Sequence, residues 1–179
     1  NPYMVDMTTT TLTSKLYIWP ALTFLASAVM LGGAWGFQLL GGLHPCTLCL
    51  YQRWPYWAAI VVAGLATLGA RQLGARGIAS VAGLCALIFL AGAGVAGFHT
   101  GVEQHWWEGL AACGGAGLND PNMSIEELKT RLFAAPVVRC DDVPWSLFGI
   151  SLAGYNFLVS LVFALASIWA AQMFWRKTT

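Results

Sequence analysis

Four long apolar stretches, separated by polar breaks, run along the chain. They cover residues 16–40, 50–70, 77–98 and 145–172. A helix needs about 20 predominantly apolar residues to cross the hydrocarbon core of a bilayer, and each stretch approaches or exceeds that length. The pattern therefore predicts an all-α integral membrane protein, folded as one domain that is a four-helix transmembrane bundle.

The polar segments between these stretches differ in length and character. Residues 41–49 and 99–144 form loops after the first and third stretches, whereas residues 71–76 form a short basic turn. In the long loop, Ser124 begins a capping-box signature, which marks the start of a helix. We expect a short amphipathic helix over residues 125–133, lying on the bilayer surface or on the bundle because it is too short to be stable alone.

The beginning of the chain contributes less to the predicted fold. Residues 1–7 are interpreted as polar or irregular and are left out of it. The first apolar stretch is too long for a signal peptide and lacks an obvious small-residue cleavage site. We expect it to be an uncleaved membrane anchor.

Composition and charge agree with a membrane protein. The chain is 58% hydrophobic and only 9% charged, whereas soluble domains are about 25% charged. The net charge of +1 gives no basis for nucleic-acid binding. Such a chain has too few charges to cover a surface that faces water, so the lipid bilayer is its expected environment.

The positions of the basic residues predict the topology. Five of them flank span ends on one face, and these are Lys15, Arg71, Arg76, Arg176 and Lys177. By the positive-inside rule that face is cytoplasmic. Both termini are then cytoplasmic, and the Cys46/Cys49 loop and the long loop lie on the opposite, non-cytoplasmic side, which is oxidising in bacteria.

A Cys-x-x-Cys pair, Cys46 and Cys49, lies where the second apolar stretch begins. Two thiols at this spacing can close a disulfide and transfer two electrons. Pro45 suits the first turn of a helix. Arg53, one helical turn after Cys49, is expected to hold that sulfur as the reactive thiolate. The alternatives are a structural disulfide or half of a zinc site completed by residues such as Cys113, Cys140, His99 or His105.

Three further cysteines are present. Cys113 and Cys140 lie in the long loop, where they either form a disulfide that staples the loop or a mobile disulfide that exchanges with the Cys-x-x-Cys pair. The residues alone leave these two interpretations open. Cys85 lies in the middle of the third apolar stretch and is expected to be an inert buried side chain.

Other polar residues lie at the same interface as the cysteines. Arg53 is the one charged residue between Lys15 and Arg71, and an ionisable residue at that depth is a functional hypothesis by default. His99, Glu103 and His105 follow the third stretch. They either form a polar helix end in water or bind the polar head group of an apolar cofactor; for His105 we favour the first interpretation.

Two sequence segments resemble a known family. Residues 45–53, Pro-Cys-Thr-Leu-Cys-Leu-Tyr-Gln-Arg, are similar to the first-loop signature of the bacterial disulfide bond formation protein B (DsbB) family. Residues 144–151, Pro-Trp-Ser-Leu-Phe-Gly-Ile-Ser, resemble the segment that leads into its last span. The resemblance covers residues 16–177 and includes a second cysteine pair in the long loop. Gln52 stands where some members carry an acid.

The resemblance implies a quinone-dependent membrane thiol oxidoreductase. A soluble periplasmic DsbA-like thiol oxidase would give electrons to Cys113 and Cys140. Cys46 and Cys49 would reoxidise that pair and pass the electrons to a membrane quinone, ubiquinone or menaquinone. Arg53 matches the family's quinone-interacting arginine. No metal is expected among the site residues.

Two other classes of function compete with this interpretation. The first is a structural four-helix membrane scaffold with two static disulfides. The second is a metal-binding or transport bundle that uses the cysteines and histidines. No Asp or Glu falls within the four predicted spans, and this weighs against a transport pathway.

Overall fold

The computed structural model describes residues 3–110, 113, 124–126 and 138–176, with side chains from residue 16 onward. This part of the chain is mostly helical. Its elements, in chain order, are helices α1 (Tyr3–Leu39), α2 (Thr47–Tyr51), α3 (Trp54–Leu68) and α4 (Ala70–Glu103), strands β1 (Ser146–Leu147) and β2 (Ile150–Ser151), and helix α5 (Leu152–Arg176).

Among the described residues, three helices are long and apolar enough to cross a membrane. They are α1 from Leu16 to Leu39, α4 and α5. This confirms the prediction of a helical protein with several membrane-crossing helices. Helix α3 has 15 residues, which corresponds to a length of about 22 Å. The count of four spans therefore stays a prediction.

The second apolar stretch, predicted over 50–70, forms two helices. α2 ends at Tyr51 and α3 begins at Trp54, with Gln52 and Arg53 between them. Pro55 lies in the first turn of α3, where its missing N–H costs no helical hydrogen bond. Cys49 and Arg53 consequently belong to different helical segments, in contrast to the single helix assumed from the sequence.

The third stretch, predicted over 77–98, forms a helix that is longer than predicted at both ends. Helix α4 runs from Ala70 to Glu103 and includes the predicted basic turn of residues 71–76. A turn is nevertheless present within it, because Gly74 has φ +60° and ψ −170°, a conformation that suits glycine. α1 likewise begins at Tyr3, inside the segment expected to be irregular.

The last stretch, predicted as a helix over 145–172, begins with a small hairpin instead. Strands β1 and β2 pair antiparallel, and the turn between them places Phe148 and Gly149 at positive φ. Ser151 then caps α5, since the N–H of Gly154 donates to its Oγ at 3.1 Å. These local hydrogen bonds delay the start of the helix to Leu152.

One prediction lies almost entirely outside the described residues. Of the amphipathic helix expected over 125–133, only Ile125 and Glu126 are described, and both are helical. The remainder of that helix stays a prediction.

The helices run alternately up and down, and three clusters of buried residues show this. One cluster joins the early part of α1, the ends of α3 and α5 and the start of α4: Leu16, Ala66, Ala70, Ile78, Ala79, Ala82, Ala170 and Phe174. The middle cluster contains Leu31, Tyr56, Ala59, Cys85, Phe89 and Ala164. The third contains Cys46, Leu48, Val102, Cys113 and Cys140. The two loop cysteine pairs therefore meet at the end of the bundle opposite Arg71 and Arg176.

Small residues allow the helices to approach closely at specific points. A Cβ atom on Gly92 would lie 3.1 Å from Pro55 Cβ, and one on Gly97 would lie 3.2 Å from Phe157. Gly83 and Gly94 have no such neighbour within 4 Å. Of the four glycines, Gly92 and Gly97 are thus the ones at helix–helix contacts.

Candidate active site

Cys46 and Cys49 lie at the start of α2. Cys46 is the N-cap residue, and its sulfur accepts a hydrogen bond from the Cys49 N–H at 3.2 Å. The two sulfurs are free thiols 2.7 Å apart and share a hydrogen bond. Cys46 is buried, whereas Cys49 is half-buried. The turn of α2 thus holds the thiols at a separation from which a disulfide can close.

Cys113 and Cys140 form a disulfide across a sequence separation of 27 residues. Both are buried, and they pack in the same cluster as Cys46. The loop pair therefore lies against the Cys-x-x-Cys pair. The structure brings together all four cysteines that the sequence marked as candidates, and it places Cys85 apart from them in the middle cluster.

His99, near the end of α4, connects the two pairs. Its Nε2 lies 3.6 Å from Cys46 Sγ and 3.1 Å from the carbonyl oxygen of Cys140. Its Nδ1 lies 2.6 Å from Gln52 Nε2. The imidazole is only 2% exposed, so its ring is held in place by contacts on both nitrogens.

The charge at this site resides on Cys46. Its pKa is lowered to about 5, chiefly by the hydrogen bond from the Cys49 thiol; burial opposes this effect, and His99 adds to it. The pKa of Cys49 is raised, first by that same hydrogen bond to Cys46 and then by burial. The contacts favour a thiolate on Cys46 rather than on Cys49, the sulfur expected from the sequence, because one thiol of the pair must donate to the other and Cys46 also has His99 beside it.

Arg53 points to a different neighbour from the one expected. Its guanidinium lies over the Trp35 ring, 5.8 Å from the ring centroid. It is the N-cap residue of α3 and is half-buried. Arg53 thus joins α1 to the break between α2 and α3, and its predicted role toward a quinone stays a prediction.

A buried polar network behind His99 was not predicted as part of the site. Asn156 Nδ2 donates to Gln52 Oε1 at 2.5 Å, and Tyr56 OH donates to Asn156 Oδ1 at 2.5 Å. Tyr56 also lies 3.0 Å from Ser160 Oγ. A signal was present in the sequence, since both polar pairs, 52 with 56 and 156 with 160, have the four-residue spacing of one helix face.

Comparison with known proteins identifies the family to which this arrangement belongs. The family model for "Disulfide bond formation protein DsbB" matches residues 17–170. The chain belongs to the DsbB family. This membership agrees with the resemblance seen in the sequence and with the apolar helices. The chain is therefore a membrane protein of disulfide bond formation, and the family suggests a thiol oxidoreductase role.

Individual DsbB relatives match most of the chain. The disulfide bond formation protein B of Aromatoleum aromaticum is 31% identical over 160 residues, which are 86% of this chain and 89% of that protein. The proteins of that name from Nitrosococcus oceani and Nitrosomonas europaea are 29% and 28% identical, over 83% and 87% of this chain and 86% and 93% of their own lengths. No solved structure matches.

The other polar candidates have separate environments. Glu103 is buried and accepts a hydrogen bond from Ser151 Oγ, so it ties α4 to the cap of α5. His105 has an exposed side chain, 4.0 Å from Asp141. Asp141 pairs with Arg139, and this contact lowers the Asp141 pKa to about 2.

Three side chains of the site could also ligate a metal ion. The ligand atoms of Cys46, Cys49 and His99 lie within 4.8 Å of one another. Cys113 and Cys140 cannot complete the set while they are disulfide-bonded. A structural zinc site normally has four protein ligands, so these residues offer a partial set.

We predict that replacing His99 raises the pKa of Cys46. In the reduced protein, alkylation of Cys46 by a small reagent should keep its rate down to about pH 5 and fall below that value, because only the thiolate reacts. His99→Ala should move the midpoint upward, whereas His105→Ala, at an exposed histidine, should not. Peptide mass spectrometry across pH measures each cysteine separately. An unchanged midpoint in His99→Ala would contradict the assignment.

Proposed function

We propose that this chain is a quinone-dependent thiol oxidoreductase that reoxidises a DsbA-like thiol oxidase in the periplasm. Electrons pass from the partner to Cys113 and Cys140, then to Cys46 and Cys49, and finally to membrane quinone. One observation carries the proposal. Cys46, Cys113 and Cys140 share a buried cluster, with His99 hydrogen-bonded to members of both pairs.

The exchange between the two pairs requires no outside oxidant. A thiolate of the reduced loop pair attacks Cys46 of the Cys46–Cys49 disulfide, forms a mixed disulfide with it and releases the Cys49 sulfur. The remaining loop thiol attacks that mixed disulfide, which closes Cys113–Cys140 and releases Cys46 as a thiolate, while the proton of that thiol passes to Cys49. The low pKa of Cys46 makes it a good leaving thiolate in this step. The described arrangement, with the loop pair oxidised and the Cys-x-x-Cys pair free, corresponds to the product of the exchange.

The residues around Arg53, which follows the Cys-x-x-Cys pair in the sequence, fit a quinone. Arg53 offers guanidinium donors for a quinone oxygen. Leu50 and Trp54 are exposed beside it, 45% and 70%, and Trp35 lies under the guanidinium. Apolar side chains around one charged donor suit a lipid-soluble ring with polar oxygens. A bound quinone would accept two electrons and two protons as the Cys46–Cys49 disulfide closes.

The proposed location is the bacterial inner membrane, with four spans and both termini in the cytoplasm. The distribution of charge supports this orientation. Arg71, Arg76 and Arg176 lie at or next to the ends of helices remote from the cysteines, and basic residues favour the cytoplasmic side. The cysteine end then faces the oxidising compartment, where a DsbA-like partner is found.

A cavity beside the loop disulfide supports contact with a protein partner. Its volume is about 630 Å³, and Cys113, Trp106, Arg139 and Asp141 are among its lining residues. Cys113 is 6% exposed and Cys140 is 1% exposed. A partner thiol would therefore reach the disulfide through this cavity.

The burial of the loop disulfide also favours a second candidate function, a membrane scaffold in which Cys113–Cys140 is a static staple. A buried disulfide resists exchange with outside thiols because access limits the reaction. The two functions differ in whether the loop cysteines are needed for electron transfer.

We predict that Cys113→Ser abolishes the reduction of quinone by a reduced DsbA-like protein. Wild-type protein in detergent should reduce quinone anaerobically at the expense of the partner's thiols, and Cys113→Ser should fall to background because the entry disulfide is missing. Cys85→Ser is the matched control and should keep the wild-type rate. If Cys113→Ser retains that rate, the loop pair is a staple and the proposed electron path is incorrect.

We predict a graded effect at Arg53. Arg53→Ala should raise the apparent Michaelis constant for quinone roughly tenfold or more, because it removes one hydrogen bond from a charged group to the quinone. Arg53→Lys should be intermediate because it keeps the charge and loses the planar fork. Arg76→Ala, at the opposite end of the bundle, serves as the control. Wild-type constants and turnover in Arg53→Ala would show that the arginine only anchors α1 to α3 through Trp35.

A further inference from the structure

A line of hydrogen-bonded side chains extends from His99 away from the sulfurs and into the apolar part of the bundle. Its members are Gln52, Asn156, Tyr56 and Ser160. Gln52, Tyr56 and Ser160 are buried, with 6% or less of each residue exposed. Buried polar groups destabilise the fold unless each has a hydrogen-bond partner. We therefore ask what role this line of side chains has.

The direction of donation along this line follows from the number of hydrogens. Tyr56 has one hydroxyl hydrogen and gives it to Asn156 Oδ1, so the Ser160 hydroxyl, 3.0 Å away, donates to the Tyr56 oxygen. With its oxygen occupied, Asn156 presents its amide N–H to Gln52 Oε1 at 2.5 Å. Gln52 in turn presents its own amide N–H to His99 Nδ1 at 2.6 Å.

This order decides which nitrogen of His99 carries the proton. Nδ1 receives a hydrogen bond and must offer its lone pair, so the proton lies on Nε2. Nε2 faces two acceptors, Cys46 Sγ at 3.6 Å and the Cys140 carbonyl oxygen at 3.1 Å. With the proton on Nδ1 instead, the N–H of Nδ1 would face the Gln52 amide hydrogens. The lone pair of Nε2 would then face Cys46 Sγ and the Cys140 carbonyl oxygen, which are both acceptors.

We propose that Asn156, oriented by Tyr56, is a positioning residue for the dithiol: through Gln52 it fixes the Nε2–H tautomer of His99 and so supplies the hydrogen bond that holds Cys46 as a thiolate. The Gln52 amide hydrogens oppose a proton on Nδ1, so the network favours the state of His99 in which Nε2 carries the proton and donates it toward Cys46 Sγ.

The location of the network explains how a distant helix acts on the sulfur. Asn156 is on α5 and Gln52 precedes α3, 104 residues apart in sequence. α5 packs more extensively against α4, the helix that carries His99, than against the other helices. Three helices thus contribute to one hydrogen-bonded line, and its last donor points at the reactive atom.

The consequence for turnover rests on the proposed function, whereas the tautomer can be tested without quinone or a partner protein. The test uses the full-length reduced protein in detergent micelles with ¹⁵N-labelled histidine, and His99→Gln identifies the His99 signals. We expect Nδ1 to resonate as an unprotonated nitrogen and Nε2 as a protonated one. A protonated Nδ1 in the wild-type protein would overturn the proposal, because the line of donors would then run in the opposite direction.

Variants test whether the network sets this state. Asn156→Leu and Tyr56→Phe should each produce a mixture of His99 tautomers and raise the midpoint of Cys46 alkylation by about one pH unit. Tyr155→Phe is the matched control, since the Tyr155 hydroxyl donates to the Leu147 carbonyl oxygen outside the network. If Asn156→Leu does not fold, Tyr56→Phe alone decides the question. Wild-type tautomer and midpoint in the folded variant would overturn the proposal, whatever its quinone activity.

Discussion

The contacts of the His99 imidazole hold the candidate site together. One ring nitrogen lies between Cys46 Sγ and the Cys140 carbonyl oxygen, and the other meets Gln52. A histidine that is 2% exposed must have partners for both nitrogens. The positions of α4, the start of α2 and the loop disulfide are consequently coupled, because a shift in any of them would leave a buried polar group without a partner.

The contacts of His99 also favour one sulfur of the Cys-x-x-Cys pair as the site of the negative charge. Two thiols 2.7 Å apart cannot both be ionised, so one donates to the other. His99 stands beside Cys46, and the charge therefore resides there. In the proposed cycle, Cys46 is the sulfur that exchanges with the loop pair, and the half-buried Cys49 completes the disulfide that would pass electrons to quinone. The reduced pair would then link a protein partner in water to an acceptor in lipid.

Much of the fold could be predicted from the sequence because long apolar runs have few alternatives in a bilayer. The Cys-x-x-Cys pair at a helix start followed from Pro45 and the adjacent apolar stretch. Helix boundaries were less predictable, since they depend on local hydrogen bonds such as the Ser151 cap and on the conformation of Gly74. Arg53 was placed beside Cys49 on the assumption of one continuous helix, and the break at Gln52 and Arg53 removes that assumption.

The location of the thiolate and the pairing of residues in the network behind His99 could not be predicted from sequence patterns. Spacing within a helix shows which residues share a face, but the pairing of Gln52 with Asn156, or of Cys46 with His99, depends on how distant segments pack. The polar residues themselves were visible as interruptions of apolar stretches. Their partners became apparent only when the helices were placed together.

The most direct test of this account measures the contact between the two cysteine pairs. Variants that retain only Cys46 and Cys113, or only Cys46 and Cys140, are oxidised mildly in detergent, and intramolecular disulfides are identified by mass spectrometry without reduction. A variant that retains only Cys46 and Cys85, from different buried clusters, is the control. The account predicts rapid cross-linking in at least one of the first two variants and none in the control. Failure of both to cross-link would contradict it.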